Sequence, residues 1–256
     1  MIYRRMCRWL FACGPSRTVA QLVRWLNGQY GKPIRLMCER LRVFAMTTKT
    51  VEVPSREELL ARGRELIEKF CNTNGVPCPD VTEMPSRSWP FSVCAFYRPE
   101  GWKSASEFSN GFCEGINICL PKCAKPCGES MSRQWSWPGS VIDRTPYGVL
   151  AHELGHHCDW LSGEEKHSYF SDYGMKLVKD AGEKPITGYC DNPAEHFAEF
   201  ARLYITNHSL LKLLRPRAWH LLAKRWKPVS AVRWREALLP GLPERVLKSL
   251  LNKGAR

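Results

Sequence analysis

The chain has 256 residues, 44% of them hydrophobic, with 10 tryptophans, 12 cysteines and a formal net charge of +13. That is enough apolar material for a sizeable core in one domain with extensions, and no apolar run approaches the roughly 20 residues that cross a bilayer. The charge is uneven: residues 1–45 carry nine Lys/Arg against Glu39 alone and residues 212–256 carry twelve against two acids, so 46–211 is mildly acidic and the total does not mark a nucleic-acid binder throughout.

Residues 1–45 are rich in Arg, Trp and Cys. Their apolar patch "WLFACG" is too short for a secretory signal, and no cleavage site follows. Two origins fit, an Arg-rich organelle transit peptide or a reading-frame extension upstream of a protein that starts at Met46. Neither gives the segment a catalytic role, and a cytoplasmic setting is the expectation. The organisation expected is therefore a basic extension over 1–45, a central domain over 46–206 and a basic helical extension over 207–256.

Within 46–206, Ser55 followed by Glu58 is a capping-box pattern that opens an amphipathic helix over 55–70. The turn-forming stretch up to Pro90 reads as a loop. "FSVCAFYRP" (91–99) and "GINICLP" (115–121) read as strands. Cys113, Cys119, Cys123 and Cys127 lack the paired C-x-x-C spacing of a zinc ribbon. They are read as buried free thiols, one or two disulfides, or a small structural metal site.

Thr145 and Pro146 start a helix that runs to about Leu161. A second helical segment is expected over 165–180, and a third from Asn192–Pro193 through "AEHFAEFARLYITN". The tail consists of short helices interrupted at Pro216, Pro228 and Pro240. The order of helix, small antiparallel or mixed sheet, then helices predicts an α+β fold.

The helix at 146–161 carries "HELGHH". His152 and His156 lie four residues apart, so their imidazoles project from one helical face about a turn apart. That spacing presents two nitrogens to one zinc ion, and Glu153, about 100° further round, is placed to handle a proton. Leu150, Leu154, Cys158 and Leu161 form a separate apolar face, so the helix is buried for other reasons as well. Gly155 costs helix stability, a cost tolerated more readily where something must approach the backbone closely. Asp159 is read either as orienting a ligand imidazole through its other nitrogen or as a solvated helix-end acid. His157 points away from the pair and is read as packing or surface.

Catalytic zinc takes three protein ligands and a water. Glu195 and Glu199 lie four apart on one face of the third helix, an expensive carboxylate pair unless a cation neutralises it. Glu195 is the favoured third ligand, with Glu199 supporting it from behind. Exchanged roles, a purely capping Glu195 and His196 as ligand are the alternatives.

"HELGH", then "Y", then "EHFAEFARLY" resembles the gluzincin metallopeptidases, most closely the lethal-factor-like catalytic domains. The likeness covers about 145–206. It implies a zincin-like fold, a zinc endopeptidase acting on a protein or peptide, ligands His152, His156 and Glu195, Glu153 as general base, and Tyr189 as the hydroxyl that stabilises an oxyanion; a monomer is the separate expectation. By the same likeness Asp159 and Glu199 support the ligands, and "GINICLP" is the antiparallel edge strand that receives substrate. A different class remains open: a nucleic-acid-binding or regulatory protein with structural zinc. It draws on the basic tail, where Trp219, Trp226 and Trp234 interleave with Arg and Lys.

Overall fold

The computed structural model describes residues 54–89, 93–101, 112–126, 135–136, 138–167, 170–189 and 192–229. The expectations for 1–45, for Cys127, for Trp234 and for the tail beyond 229 lie outside these residues.

Among the described residues the architecture is α+β, five helices with a small mixed sheet. Helix α1 (Arg56–Asn74) opens on the expected capping box, since the Ser55 hydroxyl accepts the Glu58 amide and Glu58 reaches back to the Ser55 amide. Gly75, at φ 63°, ends it in the left-handed conformation that favours glycine. The helix thus runs four residues beyond the predicted end.

Three short strands follow: β1 (Val81–Glu83), β2 (Ala95–Arg98) and β3 (Gly115–Ile118). They lie in the order β1-β3-β2, with β1 parallel and β2 antiparallel to β3. This corrects two expectations. The stretch read as loop contains β1, a strand too short to show a period between Pro79 and Pro85. "GINICLP" is the centre of the sheet, not its edge, and all four of its strand residues are buried. Among the described residues, β2 is the antiparallel outer strand. Ile116 and Ile118 face the main core, whereas Phe96 and Cys119 join Trp89 and Phe112 in a small aromatic cluster on the sheet's other side. Two-residue strands β4 (Lys125–Pro126) and β5 (Trp135–Ser136) pair parallel.

The described cysteines do not converge on one ion. Cys113 and Cys119 flank opposite ends of β3, separated by about 20 Å at the rise of an extended strand. Cys71, Cys78, Cys94, Cys113, Cys119, Cys123 and Cys158 are free thiols.

Helix α2 (Pro146–Ser162) begins as predicted, with Thr145 accepting the Gly148 amide and Pro146 in the first turn. It is the axis of the molecule, and 14 of its 17 residues are buried. The segment expected to be helical from 165 instead holds β6 (Lys166–His167) and β7 (Phe170–Ser171), paired antiparallel, before α3 (Asp172–Ala181). Ser171 caps α3, and its amide and hydroxyl are held by Asp159. That tertiary bond sets where α3 starts.

Helix α4 (Pro193–Leu214) crosses α2, and α5 (Pro216–Arg225) packs on α4 and α3. The crossing is close because Gly155 has no side chain: a Cβ there would meet Ala201 Cβ at 3.0 Å and Ala198 Cα at 3.1 Å. Helix α4 passes through the predicted boundary at 206/207, breaking its helical dihedrals at Asn207, whose side chain caps the Leu210 amide. Pro216 starts a helix here, in the first turn, where its missing N–H costs nothing. Trp226 lies in the core against Phe70 and Phe197, and the Tyr204 hydroxyl donates to its carbonyl. Residues 207–229 therefore belong to the same core as 54–206. No described helix is long and apolar enough to cross a membrane.

Candidate metal centre

The helical repeat puts His152 and His156 on the face of α2 turned toward the start of α4, with ring centroids 4.9 Å apart. From α4, Glu195 meets both: its Oε2 lies 3.0 Å from His152 Nε2 and 3.6 Å from His156 Nε2. The three potential ligand atoms all fall within 4.8 Å of one another. The triplet could hold a metal ion. Only one half of a capping box forms here: the Asn192 side chain accepts the Glu195 amide, while the Glu195 carboxylate turns to the histidines instead of reaching back to the Asn192 amide.

Glu199, one turn along α4, takes the other side of His152, with Oε1 3.0 Å from Nδ1. Burial works against a charged His152, but Glu195 and Glu199 on either side outweigh it and raise its pKa well above the ordinary histidine value. Burial pushes Glu195 and Glu199 up, but His152 and His156 hold Glu195, and Arg202 followed by His152 holds Glu199, well below the usual range.

Glu153 is 7% exposed. Burial raises its pKa, with the Glu195 charge adding to the shift and His152, His156 and the Tyr97 backbone amide opposing it. A carboxyl so placed is a better base than a solvated one. Its proximity to Tyr97 sets the site beside β2, the outer strand.

Tyr189 is half-exposed, with its ring edge-on to His152 at 5.6 Å between centroids. Partial burial and the Glu195 and Glu153 carboxylates push its phenol up, so it remains a proton donor. Its loop is tied to the site: the Tyr189 amide donates to Thr187 Oγ1, which donates to Glu199 Oε2 at 3.0 Å.

Other residues fall elsewhere. Asp159 does not orient a ligand imidazole through a hydrogen bond; its carboxylate accepts the amides of Ser171 and Gly174 and the Ser171 hydroxyl, at 2.7–2.9 Å. It ties α2 to α3; burial raises its pKa, against the pull of those hydrogen bonds and of nearby His156. His196 packs on Phe200 at 4.4 Å between ring centroids, apart from the triplet. His157 bonds Tyr97 and Pro77.

Sequence reasoning misses Thr187 and Arg202. Arg202 follows Glu199 by three residues, a helical pair spacing that is a usable signal. Thr187, in an irregular loop, offers none.

No family model, no curated protein and no solved structure matches the chain.

Proposed function

We propose that the chain is a zinc-dependent endopeptidase of zincin-like fold. The observation that carries this reading is the meeting of His152 Nε2, His156 Nε2 and Glu195 Oε2 across two crossed helices, with buried Glu153 beside them. Two imidazoles and one carboxylate fit zinc, and three protein donors with room for a water is the catalytic pattern, whereas structural zinc takes four. When bound, zinc would supply a Lewis acid that polarises a carbonyl and lowers the pKa of a water.

The chain's own groups supply the rest. Glu153 takes a proton from the attacking water and delivers it to the leaving amine. Tyr189 donates a hydrogen bond from its hydroxyl to the oxyanion that develops on the scissile carbonyl. Strand β2 offers the edge along which an extended peptide adds as a further strand. The small sheet beside an H-E-x-x-H helix crossed by a glutamate helix supports the likeness to lethal-factor-like domains.

The test is metal content by mass spectrometry on the full chain and its Glu195→Ala variant, together with cleavage of a peptide library. One zinc per chain, weakened in the variant, with metal-dependent cleavage, is the expected result. A chain that takes up no zinc removes the reading, and zinc without cleavage of any peptide moves it to the structural-zinc class.

A further inference from the structure

Arg202 is 1% exposed. A guanidinium buried this deeply is costly to desolvate unless its donors are matched, so its partners reveal what holds it. Nε and Nη2 grip the two oxygens of Glu199 at 2.7 and 2.9 Å. Nη1 donates to the Ser140 carbonyl at 3.0 Å and Nη2 to the Val141 carbonyl at 2.6 Å. One side chain thus joins the glutamate behind the metal triplet to the loop that leads into α2.

Glu199 receives three donors, two from Arg202 and one from Thr187. Surrounded in this way it can only accept from the His152 ring, so Nδ1, 3.0 Å away, is the donor. A neutral imidazole that donates through Nδ1 carries its lone pair on Nε2, the nitrogen facing Glu195.

We propose that Arg202 is a positioning residue of the metal site: by gripping both oxygens of Glu199 and anchoring them to the 140–141 carbonyls, it fixes the ring orientation and tautomer with which His152 offers Nε2 to a cation. This rests on the metallopeptidase reading only in taking the triplet to hold zinc. Lysine cannot replace it, because a single ammonium cannot span two carboxylate oxygens and two carbonyls.

The experiment is competition for zinc between a chelator and the full-length chain, run on four proteins: the unaltered chain, Arg202→Lys, the double variant Arg202→Met/Glu199→Gln, and Asn207→Ala. The double variant removes the ion pair without stranding a buried charge, so it decides the matter if Arg202→Lys does not fold. Asn207 is a control, since it ties the same loop through the Gly139 carbonyl at 3.0 Å without touching Glu199. Zinc affinity should fall by about 10- to 100-fold in both Arg202 variants and stay near normal in Asn207→Ala. In the zinc-loaded unaltered chain, nitrogen-15 NMR should place the remaining His152 proton on Nδ1. Unchanged affinity in the Arg202 variants, an equal loss in Asn207→Ala, or a proton on Nε2 overturns the inference alone. Absence of zinc from the unaltered chain overturns the functional reading and this one with it.

Discussion

His157 Nδ1 lies 3.0 Å from the Tyr97 hydroxyl, and its Nε2 lies 2.7 Å from the Pro77 carbonyl. A carbonyl only accepts, so Nε2 donates and Nδ1 receives the Tyr97 proton. The third histidine of "HELGHH" therefore ties α2 to the sheet and to the loop after α1. His157→Ala strands the buried Tyr97 hydroxyl and should cost about 1–3 kcal/mol of stability, with zinc content unchanged. Urea unfolding and metal analysis on the same sample check both halves. Loss of zinc would place His157 in the metal site.

Gly155 is where α2 and α4 touch. Alanine would gain about 1 kcal/mol of helix propensity, but its methyl would meet the Ala198 backbone at 3.1–3.2 Å, and backbone cannot yield as a side-chain tip can. Overpacking of about 1–3 kcal/mol should win, leaving a less stable protein. Since the same crossing brings Glu195 to the histidines, zinc affinity should fall too. A Gly155→Ala protein as stable as the parent would show that the helices can part freely.

Asp143 accepts the Gly139 amide and the amide and hydroxyl of Thr145. Burial raises its pKa from 3.8 to about 6, against the opposing pull of Arg202 and those hydrogen bonds. The folded state then binds more protons than the unfolded one between about pH 4 and 6, so this group's contribution to stability is largest below pH 4, declines as pH rises through that window and is level above it. The difference in unfolding free energy between the parent and Asp143→Asn, measured from pH 4 to 7, should follow that course. A difference independent of pH would show that Asp143 titrates normally.

Glu153→Gln keeps the shape of α2 and removes only the proton acceptor. Turnover of a cleaved peptide should drop by about 10²- to 10⁴-fold, while zinc content and thermal stability hold. Near-normal turnover would reassign the base.

Much of the site is legible in the amino-acid sequence because its spacing is local. Four residues along a helix bring His152 and His156 together whatever surrounds them, and the same rule pairs Glu195 with Glu199. The caps at Ser55, Thr145 and Asn192 are likewise short-range and appear as read. Asp159 shows where such reasoning fails. Its place on the histidine side of α2 suggests a partner for an imidazole, but the backbone amides of Ser171 and Gly174, 12 and 15 residues on, claim its oxygens.

The helices, most of their starts, the α+β order and the chemistry offered by each face can all be read along the chain, because they follow from periodicity and from side chains bonding their own backbone. Folding in three dimensions settles the remainder: that Glu195 meets both histidines, that "GINI" is central rather than at the edge, that residues 207–229 complete the core, and that Arg202 and Thr187 stand behind Glu199. Those outcomes depend on how closely α2 and α4 cross at Gly155 and on which loop carbonyls and amides the crossing brings within hydrogen-bond reach. Contacts of that kind join residues distant in the chain, and no repeat along the sequence records them.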